Sequence, residues 1–305
     1  MAGCFAAGWM VVAAVSSGAC HGRQTGPASP SPAVSTPASP PPSSTLLRVP
    51  FAFVSTRDTY QYIYISDGEG SALRRLTSGR SPDWSRDDRI AFEAVGGRPD
   101  GIYAINADGS GERYIGSGHH PSWAPDGRAI AVTRYDGIYI LNVDGVNAAE
   151  RAVRPPAGYA FVIDPAWSPD GRRIAFSACN ESPWGDTGPC RVYIASLDDG
   201  TSSPVPFGGY DSYSPAWSVD GSQLAFGSDG MIHVGDPIHG GFRPMASGDT
   251  PAWSPDGRVV FTWRWQGSFG TRVLIAENGV ARLLVPEPSG QPNPNYQDYD
   301  VTVSR

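Results

Sequence analysis

Lysine is absent from this chain: all 23 basic side chains are arginine, set against 30 acidic ones. The formal charge of −7 is spread rather than blocked. Without a clustered basic face, a nucleic-acid footprint is excluded. Beyond an uncharged run near the N-terminus, no stretch approaches the ~20 apolar residues that a membrane-spanning helix needs. No Gly-x-Ser-x-Gly segment occurs, so the nucleophile elbow of an α/β-hydrolase is missing. Cysteine occurs only 4 times. Two of these, Cys179 and Cys190, have no histidine at zinc-site spacing.

Glycine and proline are abundant, at 37 and 29 residues, and aromatics make up 11%. Frequent turns and β-favouring side chains together predict an all-β fold of short strands. One unit recurs: a Pro-x-Trp, a Ser-Pro-Asp-Gly turn, then an alternating apolar run. It stands at Ser81–Ala94, His120–Arg134, Asp164–Ala178, Ser214–Ser228 and Thr250–Arg264. The tryptophans Trp84, Trp123, Trp167, Trp217 and Trp253 fall at roughly 40-residue intervals, and each interval has room for four short strands. That is the spacing of propeller blades. A first blade would run over Arg48–Ser55, Tyr60–Ser66 and Leu73–Thr77. It lacks a leading strand, and the chain end Pro294–Ser304 is expected to supply it. This closes a six-bladed β-propeller of four-stranded antiparallel blades and removes an exposed sheet edge.

Within the unit, tryptophan reads as filler between blades. Pro, Asp and Gly read as turn chemistry: Pro sets φ, Asp bonds its own backbone and Gly takes positive φ. The acidic residues are too sparse for a calcium loop.

The N-terminus reads as a leader. An apolar run over Cys4–Val15 precedes small residues and then Cys20, so residues 1–19 are expected to be a signal peptide. Cys20 would be the first mature residue and the lipid-attachment point, as in bacterial lipoproteins. Ser17 stands where a large aliphatic is usual, and ordinary secretion with an incidental cysteine is the alternative. Residues 20–46 form a Pro/Ser-rich linker that cannot bury enough surface to order itself. Residues 47–305 are the folded domain.

The PAWSPDGRRIAFSA unit and its copies resemble the repeat of TolB-type β-propellers, also found in the propellers of prolyl-oligopeptidase-type enzymes. Arg86-Asp87-Asp88 replaces Pro-Asp-Gly in one copy and Val219 replaces Pro in another. The resemblance implies a periplasmic propeller that binds protein partners through its channel-mouth face. With residues 20–46 expected to be only a linker, no counterpart of the α/β domain that precedes the propeller in TolB itself is expected here, and the resemblance does not extend to membership of the Tol system. The fold alone does not fix an activity.

The turns between the first and second strands, and between the third and fourth, must open on one face. They are short and alike. The other face carries the length variation and is the expected binding face. The residue before each Pro-x-Trp is expected at the channel mouth there: Ser81, His120, Asp164, Ser214 and Thr250, flanked by His119 and Asp249. Cys179 and Cys190 enclose an insertion with Trp184 at its tip, and a disulfide between them is expected to contribute ~2–3 kcal/mol. The binding surface drawn from these features comprises His119, His120, Asp164, Trp184, Tyr210, Asp211, Tyr213, Ser214 and Asp249. Its expected ligand is an envelope protein or peptide, or a cell-surface glycan. The protein is expected to be monomeric, without cofactor, metal or catalytic residue, and to touch the membrane only through the Cys20 lipid. The alternative is a metal-dependent polysaccharide lyase or a hydrolase-related propeller enzyme. Against the lyase, His119 and His120 are adjacent and point apart on an extended chain, while His233 and His239 lie off the axis.

Overall fold

The computed structural model describes residues 47, 49–58, 60–68, 72–144, 150–180, 189–209, 211–264, 271–277, 280–285 and 297–304. The signal peptide, Cys20, the linker, Trp184 and Tyr210 lie outside them. Among the described residues the chain is entirely strand and turn, and no helix is long and apolar enough to cross a membrane.

Six blades follow one another. Blade 1 combines Asp298–Val303, Phe51–Ser55, Tyr62–Ser66 and the first half of a long strand, Leu73–Trp84. The second half of that strand opens blade 2, which continues with Arg89–Ala94, Ile102–Asn106 and Arg113–Gly116. Because this strand serves both blades, they share a seven-stranded sheet, and the other four blades are separate four-stranded sheets. The inner strands of blades 3 to 6 are His119–Trp123, Phe161–Trp167, Tyr213–Trp217 and Asp249–Trp253.

The chain end closes the ring as the sequence predicts. The strand is Asp298–Val303, and Phe51 faces Val303 as Ile90 faces Trp84. Val303 therefore holds the tryptophan position, and Asp300 the position before proline. Alternation in DYDVTV placed this strand against blade 1, where Val301 and Val303 bury into the cluster of Phe51 and Phe53.

Each pair of neighbouring blades encloses one apolar cluster. Between blades 1 and 2 it holds Val54, Ile63, Trp84, Ile90 and Phe92. Between blades 5 and 6 it holds Ala225, Ile232, Trp253, Val259 and Phe261. The repeat tryptophans thus pack between blades, and Trp84 and Trp123 are almost fully buried.

The turns behave as their residues require. Arg172 N donates to Asp170 Oδ1 at 3.0 Å, and Gly171 takes φ 74°. Asp88 assumes the same left-handed role where glycine is replaced, at φ 58°. Val143 N donates to Arg128 O, and Leu197 N to Arg172 O. These bonds tie third-to-fourth-strand turns to first-to-second-strand turns and confirm that both open on one face.

Candidate functional site

Every inner strand carries a β-bulge at the same place. In blade 4, Ile163 faces Ser177 and Ala166 faces Ala175, so Asp164 and Pro165 together oppose the single residue Phe176. The same two-against-one pairing occurs in the other five blades. Proline has no N–H for the ladder, and a bulge is one of the few sheet positions that tolerates it. The residue before it takes a left-handed φ: Ser81 49°, His120 48°, Asp164 52°, Ser214 51°, Thr250 43° and Asp300 49°. Left-handed backbone is costly for non-glycine residues, about 1–3 kcal/mol each, and unusual before proline. The distortion turns six side chains, one per blade, toward the channel.

This ring lines a cavity of ≈ 210 Å³. Outward along the strands from the ring come the prolines, then Asp83, Ser122, Ala166, Ala216, Ala252 and Thr302, then the indoles of Trp167, Trp217 and Trp253. Arg86, Pro125, Pro169 and Val219 from the turns form its rim. The cavity therefore opens on the short-turn face. The ring lies at the end of this cavity away from the short turns.

Hydrogen bonds join part of the ring. Asp164 is held from both sides, by His120 Nδ1 at 2.6 Å and by Ser214 Oγ at 2.9 Å. Burial alone would raise the Asp164 carboxyl, but the His120 charge and the Ser214 bond hold it below its usual range. Burial alone would lower His120, but Asp164, with Asp300 and Glu93 behind it, carries the imidazole up to about 9. His120 is more than a third exposed by surface, and that surface lies within the channel, crowded by the ring. Ser81 donates to Asp300 Oδ2 through its N–H at 3.2 Å and its hydroxyl at 3.4 Å. Burial first, then Asp164, pushes the Asp300 carboxyl up, and His120 opposes them.

One residue further from the turns, the other members of the expected surface engage one another or the fold. His119 Nδ1 lies 2.8 Å from Glu93 Oε1, which also pairs with Arg80. Burial of Glu93 is overridden by both partners, and its carboxyl lies below the usual range. Tyr213 donates to Asp249, and burial first and then this bond push the phenol up. Asp211 accepts the Cys190 N–H at 2.9 Å, a bond that anchors the chain. His119 and His120 thus turn to different carboxylates on opposite neighbours. His233 stacks on Phe226 in blade 5, and exposed His239 bonds Asp236. Among the described residues no group of three or more His, Cys, Asp or Glu side chains could hold a metal ion. Cys179 and Cys190 are bonded across a directly paired position of blade 4.

Asp300, Arg80 and Glu93 escaped the sequence reading. Asp300 had a signal: Asp-Val-Thr-Val keeps the polar-apolar-polar-apolar order of Ser81-Pro-Asp-Trp and His120-Pro-Ser-Trp. Glu93 lies on a second strand, where the inward aim of a polar residue depends on its packing against the next blade.

Among curated proteins no significant sequence match is found. Solved structures share the architecture. TolB from Acinetobacter baumannii aligns with a TM-score of 0.69 at 19% identity over 85% of this chain and 67% of its own. The nidogen/laminin complex gives 0.64 at 11% identity over 84% and 98%. An oligogalacturonate lyase in complex with manganese gives 0.52 at 14% over 77% and 72%. At such identities these likenesses concern the fold alone. The model of the TolB beta propeller domain matches residues 113–299, more than half of the sequence, and the chain belongs to that family.

Proposed function

We propose that this protein is an exported binding or scaffold protein of the cell envelope that engages a protein or peptide partner at its channel. The carrying observation is the ring itself: six strained, mostly polar residues, one per blade, at the inner end of an aromatic-walled cavity. Strain repeated at six sites and directed into one space belongs to a site more readily than to a scaffold. Export is supported by the Cys179–Cys190 bond, which suits an oxidising compartment. The apolar leader and the Pro/Ser-rich stretch read as secretion signal and tether, with Cys20 as lipid anchor. Among proteins of similar fold, the nidogen/laminin structure is named as a complex of two proteins.

The binding face proposed is the short-turn face, where the cavity opens, with His120, Asp164, Ser214 and Asp300 as its inner contacts. His119, Asp211, Tyr213 and Asp249 serve at the far side, as positioning residues or internal bonds. Affinity capture from the native envelope tests this with the wild type and Val219→Trp. Val219 is 43% exposed on the rim, so the larger ring narrows the opening without disturbing the core. The variant is expected to lose the captured partner by at least about tenfold, the equivalent of one good contact. Undiminished capture would overturn the channel reading.

A further inference from the structure

The cavity has two unlike walls. On one side, blades 4 to 6 present Trp167, Trp217 and Trp253 above Ala166, Ala216 and Ala252. On the other, blades 1 and 2 present Asp83, Asp300, Ser81 and Thr302. The ionisable residues lining the space are Asp83, Asp164, Asp300, His120 and, at the rim, Arg86, so negative charge is in excess. His120 is spent on Asp164 at 2.6 Å. Among the described residues Asp300 is in no direct ion pair, and its hydrogen bonds come from Ser81 alone, both to Oδ2. Burying a carboxylate is unfavourable, and burial pushes the Asp300 carboxyl up, with Asp164 adding to it and His120 opposing it.

The approach to the cavity mixes both signs, because Arg86, Arg128 and Arg172 share these turns with acidic residues. The inner turns set Asp87, Asp126, Asp170, Asp220 and Asp256 around the opening. Asp87, Asp170 and Asp256 pair with arginines. Asp126 and Asp220 are in no described ion pair, and bonds from Ser218 and Ser222 hold the Asp220 carboxyl down at about 2.

We propose that this cavity receives the cationic head of one arginine or lysine side chain, presented by a protein partner on the short-turn face. The inference rests on the channel-binding reading above and names the chemistry of its ligand. An aliphatic stem lies along the indoles, where a cation also gains from the ring faces. The head reaches Asp300 in the sector between Thr250 and Ser81. The volume, ≈ 210 Å³, is below that of pockets for drug-sized ligands and suits a single long side chain. Arginine's planar fork can meet a carboxylate with two parallel bonds.

The test uses the folded mature protein and three probes at millimolar concentration: the capped peptide Gly-Gly-Arg-Gly-Gly, the same peptide with neutral citrulline for arginine, and butylamine. Indole N–H resonances and tryptophan fluorescence report occupancy. The arginine peptide is expected to bind at least about tenfold more tightly than the citrulline peptide, as expected for a hydrogen-bonded charge. Asp300→Asn should erase that difference. Val219→Glu, a rim change clear of the ring, should strengthen the arginine peptide and leave the citrulline peptide unchanged, which keeps the test valid if Asp300→Asn fails to fold. Equal binding of arginine and citrulline peptides would overturn the proposal. Butylamine binding as tightly as the arginine peptide would reassign the site to a free amine and overturn the protein-partner source. If the cationic probes fail while envelope capture still responds to Val219→Trp, the cation assignment falls and the binding reading stands. If capture is also indifferent, both fall.

Discussion

The two halves of the ring solve the same joining problem differently. In blades 1 to 3 the residue just before the tryptophan position is polar, and its side chain accepts the next blade's backbone N–H. Thr302 Oγ1 accepts from Trp84 N at 3.1 Å, Asp83 Oδ2 from Trp123 N at 2.6 Å, and Ser122 Oγ from Trp167 N at 3.2 Å. In blades 4 to 6 that residue is alanine. There the indoles bond instead: Trp217 Nε1 donates to Ala166 O and Trp253 Nε1 to Ala216 O, both at 3.1 Å. The alanines leave Trp167, Trp217 and Trp253 lining the cavity, which Trp84 and Trp123 do not. One substitution pattern, polar against alanine, therefore sets both how the blades are joined and which wall of the channel is aromatic.

The alanine half also holds the covalent bond. Replacing Cys179 and Cys190 by serine should cost about 3 kcal/mol in denaturant unfolding, because the closed loop is short but its constraint on the unfolded chain is lost. If the polar half is held independently, the loss should leave its amide exchange protection unchanged. Asp83→Ala attacks the other half. It removes a charge-assisted bond and leaves the Trp123 N–H buried and unpaired, for an expected loss of about 2 kcal/mol. An equal loss from Asp83→Asn would show that charge, more than the acceptor, holds the joint.

The smallest effect is expected where the halves meet, at His120 and Asp164. His120 is raised from 6.5 to about 9. Its stabilisation is therefore complete below pH 6.5 and disappears as pH rises through 9. Asp164 is lowered, so its share is lost on the acid side. Unscreened, the His120 shift would correspond to about 3 kcal/mol; the imidazole's exposure reduces this to roughly 1 kcal/mol. Unfolding measured from pH 6 to pH 9.5 should show that decline in the wild type and a flatter profile in His120→Gln. Asp300 and Glu93 face the same imidazole; burial pushes the Asp300 carboxyl up, while Arg80 and His119 hold that of Glu93 down.

Much of this was legible in the residues. Proline, tryptophan and the Asp-Gly turn recur because a bulge, a wedge between blades and a left-handed corner each need them, so the propeller and its closure could be read directly. The disulfide followed from two cysteines flanking one hairpin. The ring positions Ser81, His120, Asp164, Ser214 and Thr250 were also legible, as the residue before each proline. What escaped was direction. The left-handed bulge that turns these side chains into a cavity on the short-turn face is a backbone conformation, and nothing in Ser, His, Asp or Thr announces it. Asp300 escaped because valine replaces both proline and tryptophan in its copy of the unit. Loop length pointed to the opposite face, yet His119, Tyr213 and Asp249 there are engaged with Glu93 and with one another.

Comparing the two faces of the channel directly tests the central claim. The dissociation constant of the captured partner would be measured for Val219→Trp at the short-turn rim and for His119→Ala on the long-loop side. We expect at least about a tenfold loss for Val219→Trp and less than about a threefold change for His119→Ala. The reverse ordering would place the partner on the long-loop face and contradict the channel assignment.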